Sequence, residues 1–238
     1  MAHATIPVVA LLTLLGASPA RALDVEPWDQ VLRAHVRGGR VDYAGLKADA
    51  EAMGRLERFL GAVAEMPESE PLAGWLNAYN AVVVKSVVDR YPLASVRGVP
   101  GFFDRQRHRV AGRMRTLDDV EHRVIRVRFP DARVHAALNC AARSCPPLHA
   151  RAFRGATLDA TLDRLVRTMV ASDRHVRVRD GRLHVSQLFE WFADDFRRDG
   201  GGAVLGWIRR YDAGRKLAGL PDDVRVEHLA YDWRLNDR

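Results

Sequence analysis

Apolar and polar positions alternate along this chain mostly with a helical period. From Lys47 to Glu65, apolar residues recur at Met53, Leu56, Phe59, Leu60 and Val63, the spacing of one helix face. The stretch from Pro71 to Tyr91 is apolar almost all round, opens on a proline and stops before Pro92, which predicts a buried helix. An earlier helix is predicted from Pro27 to Val36, with Asp24 as candidate cap and Gly38-Gly39 as its stop. A short extended piece, Val41-Asp-Tyr43, follows it. Thr116-Leu-Asp-Asp119 has the form of a capping box, with Asp in place of Glu, and opens a helix to about Phe129. Further helices are predicted over 158–171, 186–196 and 203–211.

Period-two alternation is rarer. Arg107 to Leu117 reads as a hairpin turning at Ala111-Gly112-Arg113, and His175 to Val185 as another with an Asp-Gly turn. Residues 133–138 read as a short buried strand and 224–229 as a last one. The expected fold class is α+β: a mostly helical single domain with a small antiparallel sheet, not a doubly wound parallel one.

The first residues stand apart. Ile6 to Leu15 is an apolar run broken by Pro7 and Thr13, and small residues then lead to Ala20-Arg21-Ala22. This predicts a secretory signal peptide over 1–22, cut after Ala22. The run is about half the roughly 20 residues of a spanning helix. A periplasmic or secreted protein is expected, with no stable membrane insertion after cleavage. The remainder divides into an N-terminal helical segment, 23–69, and a main domain, 70–238.

The formal net charge of +7 suggests a nucleic-acid binder at first. The basic residues are nearly all Arg, with only Lys47, Lys85 and Lys216 as exceptions, and they are interleaved with Asp and Glu. No basic block with stacking aromatics is present, so nucleic-acid binding is not expected.

The densest chemistry lies in His135-Ala-Ala-Leu-Asn-Cys140-Ala-Ala-Arg-Ser-Cys145-Pro-Pro-Leu-His149, which holds both cysteines of the chain. Three uses compete. One cysteine is a nucleophile with a histidine base, as in acyl transfer or amide hydrolysis. The two form a disulfide, structural or redox-active. Or His135, Cys140, Cys145 and His149 bind a soft metal such as zinc. Pro146 also allows Cys145 to stand at a helix N-terminus, where its thiol pKa would fall. Two neighbouring segments bear on the choice. Asn77 and Asn80 share a face of the apolar helix, with Tyr79 on another, and a buried amide needs partners for both its oxygen and its nitrogen. Asp118 and Asp119 precede His122 at helical spacing, where a carboxylate can orient the imidazole.

Trp75-Leu-Asn-Ala-Tyr-Asn-Ala81, Gly101-Phe-Phe, Leu117-Asp-Asp-Val-Glu-His122, the Cys segment and the tail Tyr231-Asp-Trp-Arg-Leu-Asn236 occur in that order. Together they resemble the family named domain of unknown function 547, over about 70–236 and most strongly over 70–150. The resemblance implies a thiol-dependent site with the logic of papain-like and transglutaminase-like enzymes. It makes Cys140 the reactive cysteine, since plant relatives often carry serine at the position of Cys145. It maps the histidine of a Glu-His pair onto His122 and the helix asparagines onto Asn77 and Asn80. The family's Asn-Cys-Gly reads Asn-Cys-Ala here, which weakens the expectation of a sharp turn after Cys140. The expected site therefore has Cys140 attacking, His122 as base, Asp119 or Glu121 orienting it, and Asn80 or backbone N–H groups on the oxyanion. Asn77, Tyr79, His135, Ser144 and Cys145 are the expected substrate-binding positions. The partner expected is a peptide-like or thiol-containing small molecule, with no cofactor. A non-catalytic envelope binding domain bridged at Cys140–Cys145, or a metal site, stand as alternatives.

Overall fold

The computed structural model describes residues 23–238, so the signal peptide expected over 1–22 lies outside the described residues. Helix α1 (Glu26–His35) carries acids in its first turn and bases in its last, the arrangement the helix dipole favours, and buries Trp28, Val31 and Leu32. A two-residue hairpin, β1 (Val36–Arg37) with β2 (Arg40–Val41), turns the chain at Gly38-Gly39. A Cβ at Gly39 would collide with Pro147, so this hairpin lies directly against the Cys segment.

The helix expected from Lys47 to Glu65 is two helices, α2 (Tyr43–Ala48) and α3 (Ala50–Glu65). The break is chemical: Asp49 accepts from the Ala52 N–H and caps α3, as Asp42 caps α2 through Gly45. Tyr43 is therefore helical, not extended. Helix α4 (Leu72–Val88) is buried on nearly every side, as its composition requires. The hairpin β3 (His108–Val110) and β4 (Arg113–Arg115) forms as expected.

Two segments depart from their patterns. The capping box at 116–119 forms, with Thr116 and Asp119 exchanging side-chain to backbone bonds at 3.0 Å each. The segment it opens, Asp119–Ile125, is π-helical, and only α5 (Arg126–Arg128) has α geometry. Residues Ala132–Ala136 form a 3-10 turn, not a strand, because the Asp131 carboxylate accepts from the Arg133 N–H and starts a helical turn. A short apolar run does not distinguish these two outcomes.

The second half holds α6 (Leu158–Ala171), β5 (Val176–Arg179), β6 (Arg182–Ser186), α7 (Leu188–Trp191), α8 (Ala193–Asp199), α9 (Val204–Tyr211) and β7 (Val226–Leu229). Asp180 and Gly181, at φ of 52° and 68°, make the β5–β6 turn. Strand β7 joins β6 in parallel, so the sheet β5-β6-β7 is mixed and not wholly antiparallel. The class is nonetheless mixed α+β in a single domain. No helix among the described residues is long and apolar enough to cross a membrane.

Two apolar clusters form the core. One gathers α1–α4 with the 117–125 segment, and the other gathers α6–α9 with the sheet. The chain from 132 to 153 runs between them. Asn77 anchors its far end: the side chain donates to the Phe153 carbonyl at 2.8 Å and accepts from the Phe153 N–H at 2.9 Å, fully buried. Asn77→Ala leaves both backbone groups unpaired, and a loss of about 2–4 kcal/mol is expected in chemical denaturation, from two unsatisfied buried groups. A loss below about 0.5 kcal/mol, the size of a typical surface substitution, would contradict this anchoring role.

Candidate functional site

The Cys segment is held by a chain of buried amides. Asn80, on α4, donates to the Ala137 carbonyl at 2.9 Å and accepts from the Asn139 N–H at 3.0 Å. Asn139 in turn donates to the Pro146 carbonyl at 2.8 Å and accepts from the Ala141 N–H at 2.9 Å and from Asn236 at 3.1 Å. Asn236 then accepts from the Tyr43 hydroxyl at 2.8 Å. The turn after Cys140 is sharp despite the missing glycine: Ala141 has φ of 60°. An alanine held there carries strain of roughly 1–2 kcal/mol, sustained by the amides on either side.

Cys140 and Cys145 are joined in a disulfide. Cys145 is buried, whereas Cys140 is only partly covered. The Tyr231 hydroxyl lies 3.3 Å from each sulfur. The tail that carries Tyr231 is laced to the loop: Ser144 exchanges bonds with Asp232, and Ala142 bridges to Leu235.

These sulfurs line a pocket of about 300 Å3 between the two apolar clusters. Trp191, Phe192, Tyr231 and Trp233 give it an aromatic wall, and Tyr79, Glu121, His122 and His135 bring polar groups to it. The π-helical turn puts Glu121 and His122 on one cavity although they are adjacent in sequence. Such turns are frequent at functional sites. Glu121 accepts from the Tyr79 hydroxyl at 3.0 Å. Loss of water pushes its carboxyl up to about 7, against the opposing pull of the Tyr79 bond and Arg126.

His135 is buried and makes a 2.8 Å bond to Asp195, and its ring stacks on Phe192 at 4.0 Å. Asp195 also accepts from Arg126 at 2.6 Å. Burial alone would raise Asp195, but the bonds from His135 and Arg126 override it and hold the carboxyl well below its usual range. An ionised Asp195 only accepts, so His135 carries its proton on Nε2 and leaves the Nδ1 lone pair available. Burial keeps the ring neutral by lowering its pKa, with Asp195 pulling the other way.

His122 differs from the expected base. Its Nδ1 receives a bond from Arg126 at 3.1 Å, so that lone pair is occupied, and its Nε2 is 3.9 Å from Asp118, too far for a hydrogen bond. Asp119 does not orient it, because that carboxylate is spent on the capping box and on Arg123. Asn80 is committed to the loop through its oxygen and one N–H and does not line the pocket, so it is not placed to serve an oxyanion there. Asn77 lies away from the pocket for the same reason, and Ser144 faces the tail. Cys145 does not open a helix, because residues 146–154 contain none. The bridged Cys140 is not a thiol, and only its reduced form could be a nucleophile.

The metal ligand set is not assembled either. The sulfurs are bonded to each other, His135 is bound to Asp195, and His149 is turned to the Arg151 carbonyl at 2.9 Å. Among the described residues no three His, Cys, Asp or Glu are arranged to hold a metal ion. Asp195, Asn139 and Tyr231 escaped sequence reasoning as site residues. Asp195 meets His135 from 60 residues away, with no local pattern to mark it. A larger groove of about 730 Å3 lies beyond Trp191, between β6–β7 and α7–α9, and holds no sulfur.

Residues 63–169 match the model of a family described as "Protein of unknown function, DUF547". No curated protein and no solved structure matches the chain.

The elevated Glu121 carboxyl has a thermodynamic signature. Unfolded, it titrates near 4.5; folded, near 7. Between those values the native state retains a proton that the unfolded chain has lost, so stability is lost as pH rises through the window. Glu121→Gln removes that loss. The melting temperature of the variant minus that of the parent should grow from about pH 5 to pH 8. A difference that stays flat with pH would place Glu121 in water instead.

Proposed function

Residues 63–169 make this chain a member of family DUF547, and we propose that its pocket is the active site of a cysteine-dependent hydrolase or acyltransferase acting on peptide-like or thiol-containing substrates. The observation that carries this reading is the His135–Asp195 pair in the wall of the cavity that also exposes Cys140. A histidine fixed by a carboxylate, with its second nitrogen unoccupied, is the usual activator of a thiol nucleophile. His135 takes the place that the sequence assigned to His122.

The bridged form is the resting state. A dithiol reductant gives two electrons and two protons to the Cys140–Cys145 bond and leaves as a disulfide. Cys140 then yields its proton to Nδ1 of His135, and the thiolate attacks the substrate carbonyl. Asp195 stabilises the imidazolium that forms. Collapse of the tetrahedral adduct expels an amine, which takes the proton from His135, and a thioester remains on Cys140. Water, or an acceptor amine or thiol, attacks the thioester, passes its proton to His135 and restores the thiol. Glu121, half-ionised near neutral pH, and the Tyr79 hydroxyl are suited to hold the polar end of the substrate, while Trp191 and Trp233 cover its apolar part. Export, the expected destination, favours the bridged form, because oxidising compartments preserve disulfides.

A second reading has its own support. The closed bridge, with the Tyr231 hydroxyl beside both sulfurs, suits a non-catalytic domain that binds a peptide in the same pocket.

Cys145→Ser separates the two, because it leaves Cys140 unbridged without added reductant. Under the catalytic reading, iodoacetamide labels Cys140 of this variant rapidly at pH 7. Adding His135→Ala or Asp195→Asn then slows labelling by about tenfold or more, within the usual effect of a positioned base. Labelling at the rate of an ordinary thiol of pKa about 8.5, indifferent to His135 and Asp195, would sink the catalytic reading.

A further inference from the structure

Glu70 is the one acidic side chain buried in the first cluster's wall with no basic partner among the described residues. It is 6 % exposed. Its backbone is fixed, since its N–H reaches the Pro67 carbonyl at 3.0 Å and its carbonyl accepts from the Trp75 indole at 3.0 Å. The side chain folds over the first turn of α4, where a Cβ on Gly74 would collide with its carboxyl. The glycine therefore makes room for an anion at the helix N-terminus, where the dipole favours one. The only described bond to that carboxyl comes from the backbone N–H of Leu23. Leu23 is itself packed against the core. An isolated buried carboxylate is costly, and one amide bond from Leu23 does not offset that cost. Burial accordingly raises its pKa.

The residue supplying that bond directly follows Ala20-Arg21-Ala22, the small-x-small pattern of a leader cleavage site. Two independent features, one of sequence and one of packing, thus meet at the same peptide bond. We propose that an export-linked endopeptidase hydrolyses the Ala22–Leu23 bond and that the freed α-ammonium of Leu23 forms a buried ion pair with Glu70. Water supplies a hydroxyl to the Ala22 carbonyl and a proton to the Leu23 nitrogen, which takes up another at neutral pH. The nitrogen already in contact with the carboxylate changes from a neutral amide to a cation without having to move. The processed chain then carries a charge pair that the precursor lacks, and docking of the new N-terminus locks α1 against α4.

The test starts from the full chain, expressed with export. Sequencing of the mature N-terminus should read Leu-Asp-Val-Glu; a start at any other residue overturns the proposal. The mature chain is then compared with one bearing a single extra Met before Leu23. The extended chain should melt several degrees lower, and Glu70→Gln should abolish the gap between them. No gap, or a gap that survives Glu70→Gln, overturns the ion pair. If Glu70→Gln does not fold, acylation of the α-amine at pH 7 gives the answer. The Leu23 amine should react about tenfold more slowly than that of the extended chain, the effect of roughly one unit of raised amine pKa. Equal rates overturn the pairing.

Discussion

The site depends on a relay of buried side-chain amides. Asn80 reads the backbone of the Cys segment from α4, Asn139 closes the loop on itself, and Asn236 ties it to the tail and to Tyr43. Each amide uses both its oxygen and at least one N–H, so burial costs little, whereas removal of any member strands the others. Apolar packing alone would hold a loop of this length loosely. The relay fixes it tightly enough to keep an alanine in the left-handed region, and that turn brings Cys140 to the cavity while Cys145 stays inside.

The same cavity sorts its titratable groups by environment. Asp195 sits among donors and stays ionised, and His135 beside it is kept neutral by burial. Glu121, with less compensation, is shifted towards neutrality. Three groups within one small volume therefore differ in charge at a single pH, the condition that separates acid from base roles in catalytic sites. Arg126 links them, since it bonds both Asp195 and His122. His122 is thereby tied to the same guanidinium that holds Asp195.

Much of this was legible in the sequence where one local rule decides the outcome. The stripe over 158–171 gives α6 at its true bounds, Asp180-Gly181 makes the expected turn, and the all-round apolar run makes α4. The concentration of sulfur and imidazole at 135–149 places His135, Cys140 and Cys145 on the wall of one pocket. What could not be read is set by local alternatives that periodicity does not separate, and in one case by a distant partner. Ala132–Ala136 is helical because Asp131 caps it, the π-helical turn adds a residue that no periodicity records, and Phe192 splits a stretch that reads as one helix. Asp195 looks like a surface acid of α8 until His135, 60 residues before it, is brought against it.

The tail from Tyr231 to Asn236 completes the relay and touches both sulfurs, while its partners Tyr43 and Asn139 belong to the first two thirds of the chain. A ribosome delivers these six residues after everything they fasten. Until they emerge, the loop lacks its tie to Asn236 and the cavity lacks Tyr231 and Trp233 from its wall. The pocket is thereby assembled only after Asn236 has been synthesised and has folded back onto Asn139.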